Sequence, residues 1–161
     1  MQKAQPSTVP FQATRDQSHS CRIQLFNPQA RESESFRIHV LYTNPRDTRV
    51  ALKTAVEMSA QLGSEIVLIV SQIVPFPLPL ENPPVPLEFA SERIRSLAET
   101  TPVDLQGFIY LCRNPVDTLI QELPMHSLVV IGARTHWPFG KSKRLARALR
   151  RHGHEVILAN G

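Results

Sequence analysis

The 161-residue sequence has few of the residues from which metal and disulfide sites are built. Its two cysteines, Cys21 and Cys112, are too few for a disulfide framework and too isolated for a zinc site. No apolar run approaches the roughly 20 residues that cross a bilayer, and the N-terminus lacks a signal pattern, so we expect a cytoplasmic protein without membrane contact. A composition of 42% hydrophobic and 20% charged residues indicates one globular domain with a substantial core.

Acidic residues are also missing between Gly132 and His154, where the basic residues of the chain concentrate. This segment contains seven of them: Arg134, Lys141, Lys143, Arg144, Arg147, Arg150 and Arg151. Four of these (Lys143, Arg147, Arg150 and Arg151) follow the spacing of one helical face. The face either binds an anionic partner or is a solvated helix surface that aids solubility. The anionic partner would be a nucleic acid or an acidic protein, and we expect nucleic acid binding to be unlikely because no aromatic platform accompanies the charges on this face.

Residues 1–35 are rich in Gln, Ser, Pro and Arg, and their apolar residues follow no period. Such a segment buries too little apolar surface to offset its ordering entropy, so we predict a flexible arm before a domain over 36–161. As an alternative, Cys21, Ile23 and the pair Leu25-Phe26 dock on the domain as an added edge strand.

The rest of the chain alternates between strand and helix patterns. Strands are predicted over 37–42, 65–70, 103–112, 128–131 and 156–159, and helices from Asp47 or Thr48 to Gly63 and over 87–99, 116–123 and 142–152. The strand at 65–70 is a continuous β-branched and apolar run, which is typical of a parallel strand covered on both faces. The order predicts an α/β fold: an open five-stranded parallel sheet with helices on both faces, Rossmann-like in its topology.

Local signals place the helix ends and the connections. Gly63 suits a left-handed C-terminal cap, and Asn114 followed by Pro115 suits a helix start. In the second helix we expect Phe89, Ile94, Leu97 and Ala98 to face inward. Residues 75–86 contain six of the fourteen prolines, which predicts an extended surface connection. It is either a spacer, which we favour, or a lid or docking segment for a protein partner.

Three segments together resemble the universal stress protein family. These are the strand at 38–42, the helix containing Val-Ala-Leu-Lys-Thr-Ala and ending Gln-Leu-Gly-Ser-Glu, and Leu-Val-Val-Ile-Gly at 128–132. The resemblance extends from about Phe36 to Asn160. It implies the adenine nucleotide alpha hydrolase-like type of α/β domain, a homodimer formed through the last strand, a role in the stress response, and ATP binding in one branch of the family.

That branch carries a Gly-x2-Gly-x9-Gly-Ser/Thr motif, which this chain matches in part. Gly132 takes the first position, but Thr135 replaces the second glycine. A shortened loop places Gly140-Lys141-Ser142 at the final Gly-Ser position. The ATP-binding branch also has an aspartate beside the nucleoside at the end of the first strand, where this chain has Thr43.

The expected site therefore lies at the carboxyl ends of the strands. The residues predicted to hold ATP or another phosphate-bearing ligand are Thr43, Val70, Gly132, Arg134, Gly140, Lys141 and Ser142. At Gly140-Lys141-Ser142, the free N–H groups of a helix start and nearby cations favour a phosphate. The sequence has no nucleophile elbow, and carboxylates are scarce near the site. We therefore expect a noncatalytic regulatory domain.

Overall fold

The computed structural model describes residues 20–26, 35–134 and 140–161. Its strands are β1 (Ser20–Phe26), β2 (Arg37–Leu41), β3 (Glu65–Ile73), β4 (Leu105–Cys112), β5 (Leu128–Ala133) and β6 (Glu155–Asn160). Its helices are α1 (Pro45–Leu62), α2 (Leu87–Glu99), α3 (Pro115–Glu122) and α4 (Lys141–Arg151). None of these helices is both long enough and apolar enough to cross a bilayer.

The strands form a single sheet in the order β1-β4-β3-β2-β5-β6. Strands β2 to β6 pair in parallel, as predicted, and β1 pairs antiparallel with the outer side of β4. The α/β class and the parallel pairing are thus confirmed, whereas the predicted number of five strands is corrected to six.

Strand β1 lies within the predicted flexible arm, so that prediction is wrong for Ser20–Phe26 and the edge-strand alternative is confirmed. Ile23 is buried in the core, and Arg22 lies over the ring of Phe108 with its Cζ 5.4 Å from the ring centroid. Pairing with β4 also provides hydrogen-bond partners for the backbone N–H and C=O groups of β1. A short amphipathic sequence pattern does not show that such a partner strand is available. The other residues of the predicted arm, except Ser35, lie outside the described ranges.

Helices cover both faces of the sheet, as predicted. On one face, α1 and α2 pack over residues such as Val40 and Leu68, and on the other, α3 and α4 pack over residues such as Val129 and Ile131. The strand residues alternate between these two cores because successive side chains of a strand point to opposite faces. The central strands are apolar at almost every position for this reason.

Helix α1 starts earlier than predicted. Its N-cap is Asn44, whose Oδ1 accepts a hydrogen bond from the N–H of Asp47 at 2.9 Å, and Pro45 takes the first helical position. The predicted caps Asp47 and Thr48 lie inside the first turn, because an extended Asn before a proline is the better start. The C-terminal cap at Gly63, with φ of 62°, is confirmed.

Helix α2 has the predicted bounds, but its inward face differs at one position. Ile94 and Leu97 are buried and Ala98 is half-buried, whereas Phe89 is 65% exposed. Phe89 is five positions before Ile94 in the chain. At about 100° per residue, this spacing turns the Phe89 side chain well away from the core-facing stripe. The prediction that Phe89 faces inward is therefore wrong.

The proline-rich connection contains no helix or strand, but the prediction that it is extended is wrong: the N–H of Leu78 donates to the carbonyl of Pro75 and that of Asn82 to the carbonyl of Pro79, both at 3.1 Å, which forms two turns. Side chains from β3 and from the end of β4 hold it in place. Arg113 donates to the carbonyl oxygens of Val74 at 2.6 Å and Leu78 at 2.7 Å, and its Cζ lies 4.0 Å from the ring centroid of Phe76. At the other end, Gln72 Nε2 donates to the carbonyl of Val85 at 2.8 Å. The segment is thus fastened at both ends.

Candidate functional site

A cleft of about 400 Å³ opens at the carboxyl edge of the sheet. It lies where the chain order reverses, because β2 is flanked by β3 on one side and β5 on the other. Open parallel sheets bind ligands at this switch point. The lining residues come from the ends of β2, β3 and β5 and from the starts of α1, α3 and α4: Leu41, Tyr42, Thr43, Asn44, Asp47, Ile69, Ser71, Pro115, Leu119, Ala133, Arg134, Gly140, Lys141, Ser142, Lys143 and Leu145.

Five of the seven predicted site residues line this cleft. They are Thr43, Arg134, Gly140, Lys141 and Ser142. The sequence separates the first from the others by about ninety residues, and the parallel crossovers bring them to one edge.

The wall formed by the start of α1 is polar and internally hydrogen-bonded. Asn44 Nδ2 donates to a carboxylate oxygen of Asp47 at 2.7 Å, and the Thr43 N–H donates to the hydroxyl of Thr48 at 3.2 Å. The Thr43 hydroxyl oxygen is buried and has no hydrogen-bond partner among the described residues. Buried hydroxyl groups in proteins are usually hydrogen-bonded, so this one is an exception among the polar groups near the cleft.

The opposite wall is cationic. Gly140 has extended backbone angles and caps α4, and its carbonyl accepts hydrogen bonds from the N–H groups of Lys143 at 3.1 Å and Arg144 at 3.2 Å. The N–H groups of Lys141 and Ser142 come before the first helical donor, the N–H of Lys143, and so have no acceptor within α4, as is true of the first N–H groups of any helix. With the side chains of Arg134, Lys141 and Lys143 on the same wall, this edge favours a negatively charged ligand.

Gly132 belongs to the support of the cleft rather than to its surface. A Cβ placed on Gly132 would overlap the backbone carbonyl of Asp47 in the first turn of α1. The glycine therefore allows α1 to pack closely on the end of β5, which is a different use from the predicted approach to phosphate.

Val70 lies in a neighbouring pocket of about 530 Å³ between β3 and α2. Tyr42, Thr43 and Ser71 line both this pocket and the cleft, so the two spaces adjoin. The exposed apolar side chains of Ile73, Val85 and Phe89 give the second pocket its apolar wall.

The described lining of the cleft contains few side chains that could transfer a proton. Asp47 is the one acidic residue on the described lining, and Asn44 already bonds its carboxylate. No histidine or cysteine is found on that lining, and no metal-binding group of three His, Cys, Asp or Glu residues occurs in the described ranges. Burial raises the pKa of the Cys112 thiol, which keeps this core cysteine protonated and unreactive.

Five polar residues of the lining were not among the seven predicted site residues: Tyr42, Asn44, Asp47, Ser71 and Lys143. Ser71 follows the apolar run of β3, and its polarity at a strand end was the available signal. Tyr42 and Asp47 carried no comparable signal. Tyr42 also fits the end of a strand pattern, and Asp47 also fits the acidic first turn of a helix. The second motif position, Thr135, lies outside the described residues.

A second basic feature runs along α4 beside the edge strand β6. Lys143, Arg147, Arg150, Arg151 and Leu158 line a shallow groove of about 410 Å³, which we call the basic groove. The predicted common face of the four cations is confirmed. Arg150 is anchored, since its Nη2 donates to the carbonyl of Val156 at 2.6 Å. None of the four forms an ion pair with another residue of the described ranges.

The chain matches no protein-family model, and no characterised protein is significantly similar to it in sequence. The cleft, the adjoining pocket and the basic groove are therefore the features of the chain that bear on its function.

Proposed function

We propose that this chain is a noncatalytic regulatory domain that binds a phosphate-bearing ligand in the switch-point cleft. The observation that carries the proposal is the convergence of Arg134, Lys141 and Lys143 with the first turn of α4 on one wall. Cations and free helix N–H groups are the elements that proteins use to hold phosphate.

A nucleotide is the ligand class that suits the adjoining spaces best. The cleft offers a cationic wall for phosphate, and the second pocket offers apolar side chains such as Val70 and Phe89 for a flat ring. Tyr42 and Thr43 lie at the junction. A rotation of the Thr43 side chain would bring its buried, unpartnered hydroxyl to a sugar or base atom. The likeness to universal stress proteins supports ATP and a role in the stress response within this proposal.

Isothermal titration of the full chain with Mg-ATP tests the proposal, with ADP and inorganic phosphate as further ligands. We expect Lys141→Ala to weaken ATP binding by roughly tenfold, since a charged hydrogen bond contributes about 1.5 kcal/mol or more. Arg144→Ala is the matched control, because Arg144 is an exposed cation of the same helix that lies outside the cleft lining.

Two results would contradict the proposal. If the wild-type chain gives no heat and no change in melting temperature with any of the three ligands, the cleft is not a phosphate site. If ADP accumulates during incubation with ATP and Lys141→Ala abolishes this turnover, the domain is an enzyme and the noncatalytic part fails.

Partner binding is the second candidate function, and the observation that favours it is the basic groove. The likeness to universal stress proteins also implies a homodimer through β6, and the exposed side chains Phe76, Leu78 and Val85 offer a protein partner a contact on the proline-rich segment. Sedimentation of the purified chain measures whether it forms the homodimer. A pull-down with wild type and with Phe76→Ser tests whether the proline-rich segment contacts a protein partner.

A further inference from the structure

We propose that the outer edge of β6 and the basic groove together form a docking site for an extended acidic segment of a partner protein, which adds to the sheet beside β6. The site is distinct from the phosphate cleft, with Lys143 as the one described residue that lines both. The proposal deepens the second candidate function, partner binding through the basic groove.

The backbone of β6 has polar groups that face away from β5. The N–H of Glu155 donates to the carbonyl of Ser127 at 3.0 Å, so residue 155 faces the neighbouring strand. Because consecutive residues of a strand direct their backbone groups to opposite sides, Val156, Leu158 and Asn160 face outward. In the described part of the chain, no strand pairs with this side.

Arg150 closes one end of this edge. Its guanidinium donates to the Val156 carbonyl, which is the first of the outward-facing acceptors. The N–H and C=O groups of Leu158 and Asn160 remain for an incoming strand. Arg150 therefore sets where an added strand begins, as side chains that cover sheet edges commonly do.

The spacing of the remaining cations matches an extended acidic chain. Lys143, Arg147 and Arg151 follow one another at four-residue intervals, which places them about 6 Å apart along the axis of α4. Alternate side chains of an extended peptide lie about 6.6 Å apart and project from the same face. Carboxylates at alternate positions of an added strand would therefore meet the three cations in succession, with Leu158 providing an apolar contact between them.

The same charges oppose pairing with a second copy of this chain. Two antiparallel β6 strands related by a twofold axis perpendicular to the sheet would place both α4 helices on one face, next to each other. The two basic grooves would then face each other across the junction, and like charges in such positions are destabilising. An acidic strand removes this repulsion, so we assign the edge to a partner; the homodimer through β6 that the family likeness implies would occupy the same edge and is the competing outcome of the test below.

A peptide also fits better than a nucleic acid. Single-stranded nucleic acids rely on aromatic side chains for stacking, and the lining of the basic groove contains none. A peptide, in contrast, uses both the unpaired backbone groups and the cations, as in other cases of strand addition to a sheet edge.

The test uses the full chain and a synthetic peptide of alternating Glu and Thr, slightly longer than β6. We expect the acidic peptide to bind and a version with Gln in place of Glu to bind at least tenfold more weakly. We also expect Arg147→Glu or Arg151→Glu to weaken binding of the acidic peptide roughly tenfold. Arg144→Glu, the same charge change on the same helix outside the groove, should retain the affinity. Neither test variant lines the cleft, so a failure here leaves the ATP titration unaffected.

Hydrogen exchange supplies the second measurement. Bound peptide should slow exchange at the outward amides of Leu158 and Asn160 and leave those of Ile157 and Ala159 unchanged. The proposal is overturned if neither amide slows or if the peptide does not bind. It is also overturned if a single-stranded oligonucleotide of equal charge binds more tightly, or if the chain alone self-associates and protects these amides.

Discussion

Gly132 and Asp47 are in direct backbone contact, and this contact holds the first turn of α1 against the end of β5. No side chain fits at Gly132, because its Cβ would overlap the carbonyl of Asp47. Asp47 lies in the first turn of α1, which follows β2, and Gly132 lies near the end of β5, so their contact fixes the spacing of two elements that line the cleft. Stability and ligand geometry are thus linked at one position.

Gly132→Ala should destabilise the chain by about 2 kcal/mol or more, since overpacking against backbone cannot be relieved by a rotamer change. Gly63→Ala is the comparison: it is strained by its φ of 62° but meets no atom within 4 Å, so a loss of about 1 kcal/mol is expected. Urea unfolding of both variants measures the difference. Equal losses would show that the contact with Asp47 is not the limiting factor.

Stability should fall as the pH is lowered from neutral. Burial lowers the pKa of His39 from 6.5 to about 4, while a backbone hydrogen bond with Leu128 opposes this and the charges of Arg37 and His154 add to it. The unfolded chain therefore binds a proton below pH 6.5 that the folded chain accepts only near pH 4. About 3 kcal/mol of stability is expected to be lost across this window.

Urea unfolding at intervals between pH 7 and pH 4 tests this dependence in wild type and in His39→Gln. Burial also lowers the pKa of His154, so a smaller loss should persist in the variant. If the variant loses stability with the same slope as the wild type, His39 is not the group responsible.

Arg113→Ala should release the proline-rich segment with little effect on the core. The substitution removes two hydrogen bonds to the carbonyls of Val74 and Leu78 and the stacking contact with Phe76. Limited proteolysis should then cut within 75–86 several times faster, while the free energy of unfolding changes by about 1–2 kcal/mol. Arg95→Ala, an exposed arginine on α2, should leave the cleavage rate unchanged; an equal increase there would contradict the assignment.

Thr43→Asp should change ligand preference at the junction of the cleft and the second pocket. A carboxylate there accepts hydrogen bonds from a ribose more strongly than a hydroxyl does, which we expect to raise ATP affinity roughly tenfold. Affinity for inorganic phosphate should fall or stay level, because the added charge is repulsive. Parallel titrations with ATP and with inorganic phosphate measure the ratio of the two affinities. An equal change in affinity for both ligands would argue against a nucleoside at this position.

Several features of the fold could be predicted because they depend on neighbouring residues alone. The apolar runs at Ile66–Val70 and Leu128–Ile131 indicated doubly covered parallel strands, and Gly63 and Asn114 marked helix ends through their own backbone chemistry. The position of the site followed as well, since the crossover rule brings the residues after each parallel strand to one edge.

Other features depend on contacts that local patterns do not contain. The apolar residues of Ser20–Phe26 indicated an edge strand only as an alternative to a flexible arm, and pairing with β4 decides between the two. Phe89 has the apolar character of a core residue, yet its helical angle relative to Ile94 leaves it exposed beside the second pocket. Val70 packs in the core beneath α1 and α2, whereas α4 and its cations lie on the opposite face of the sheet, and only the packed structure shows which helix covers which face.

The sequence by itself determined the class of fold, the edge of the sheet at which the candidate cleft opens and the concentration of cations on α4, because hydrophobic periodicity, chain order and charge are properties of the chain. The tertiary structure alone decided that Gly132 supports α1, that Arg150 covers one end of β6, and that the remaining cations lie along an unpaired strand edge. These relationships join residues from separate elements, and their distances exist only once the sheet and helices have packed together.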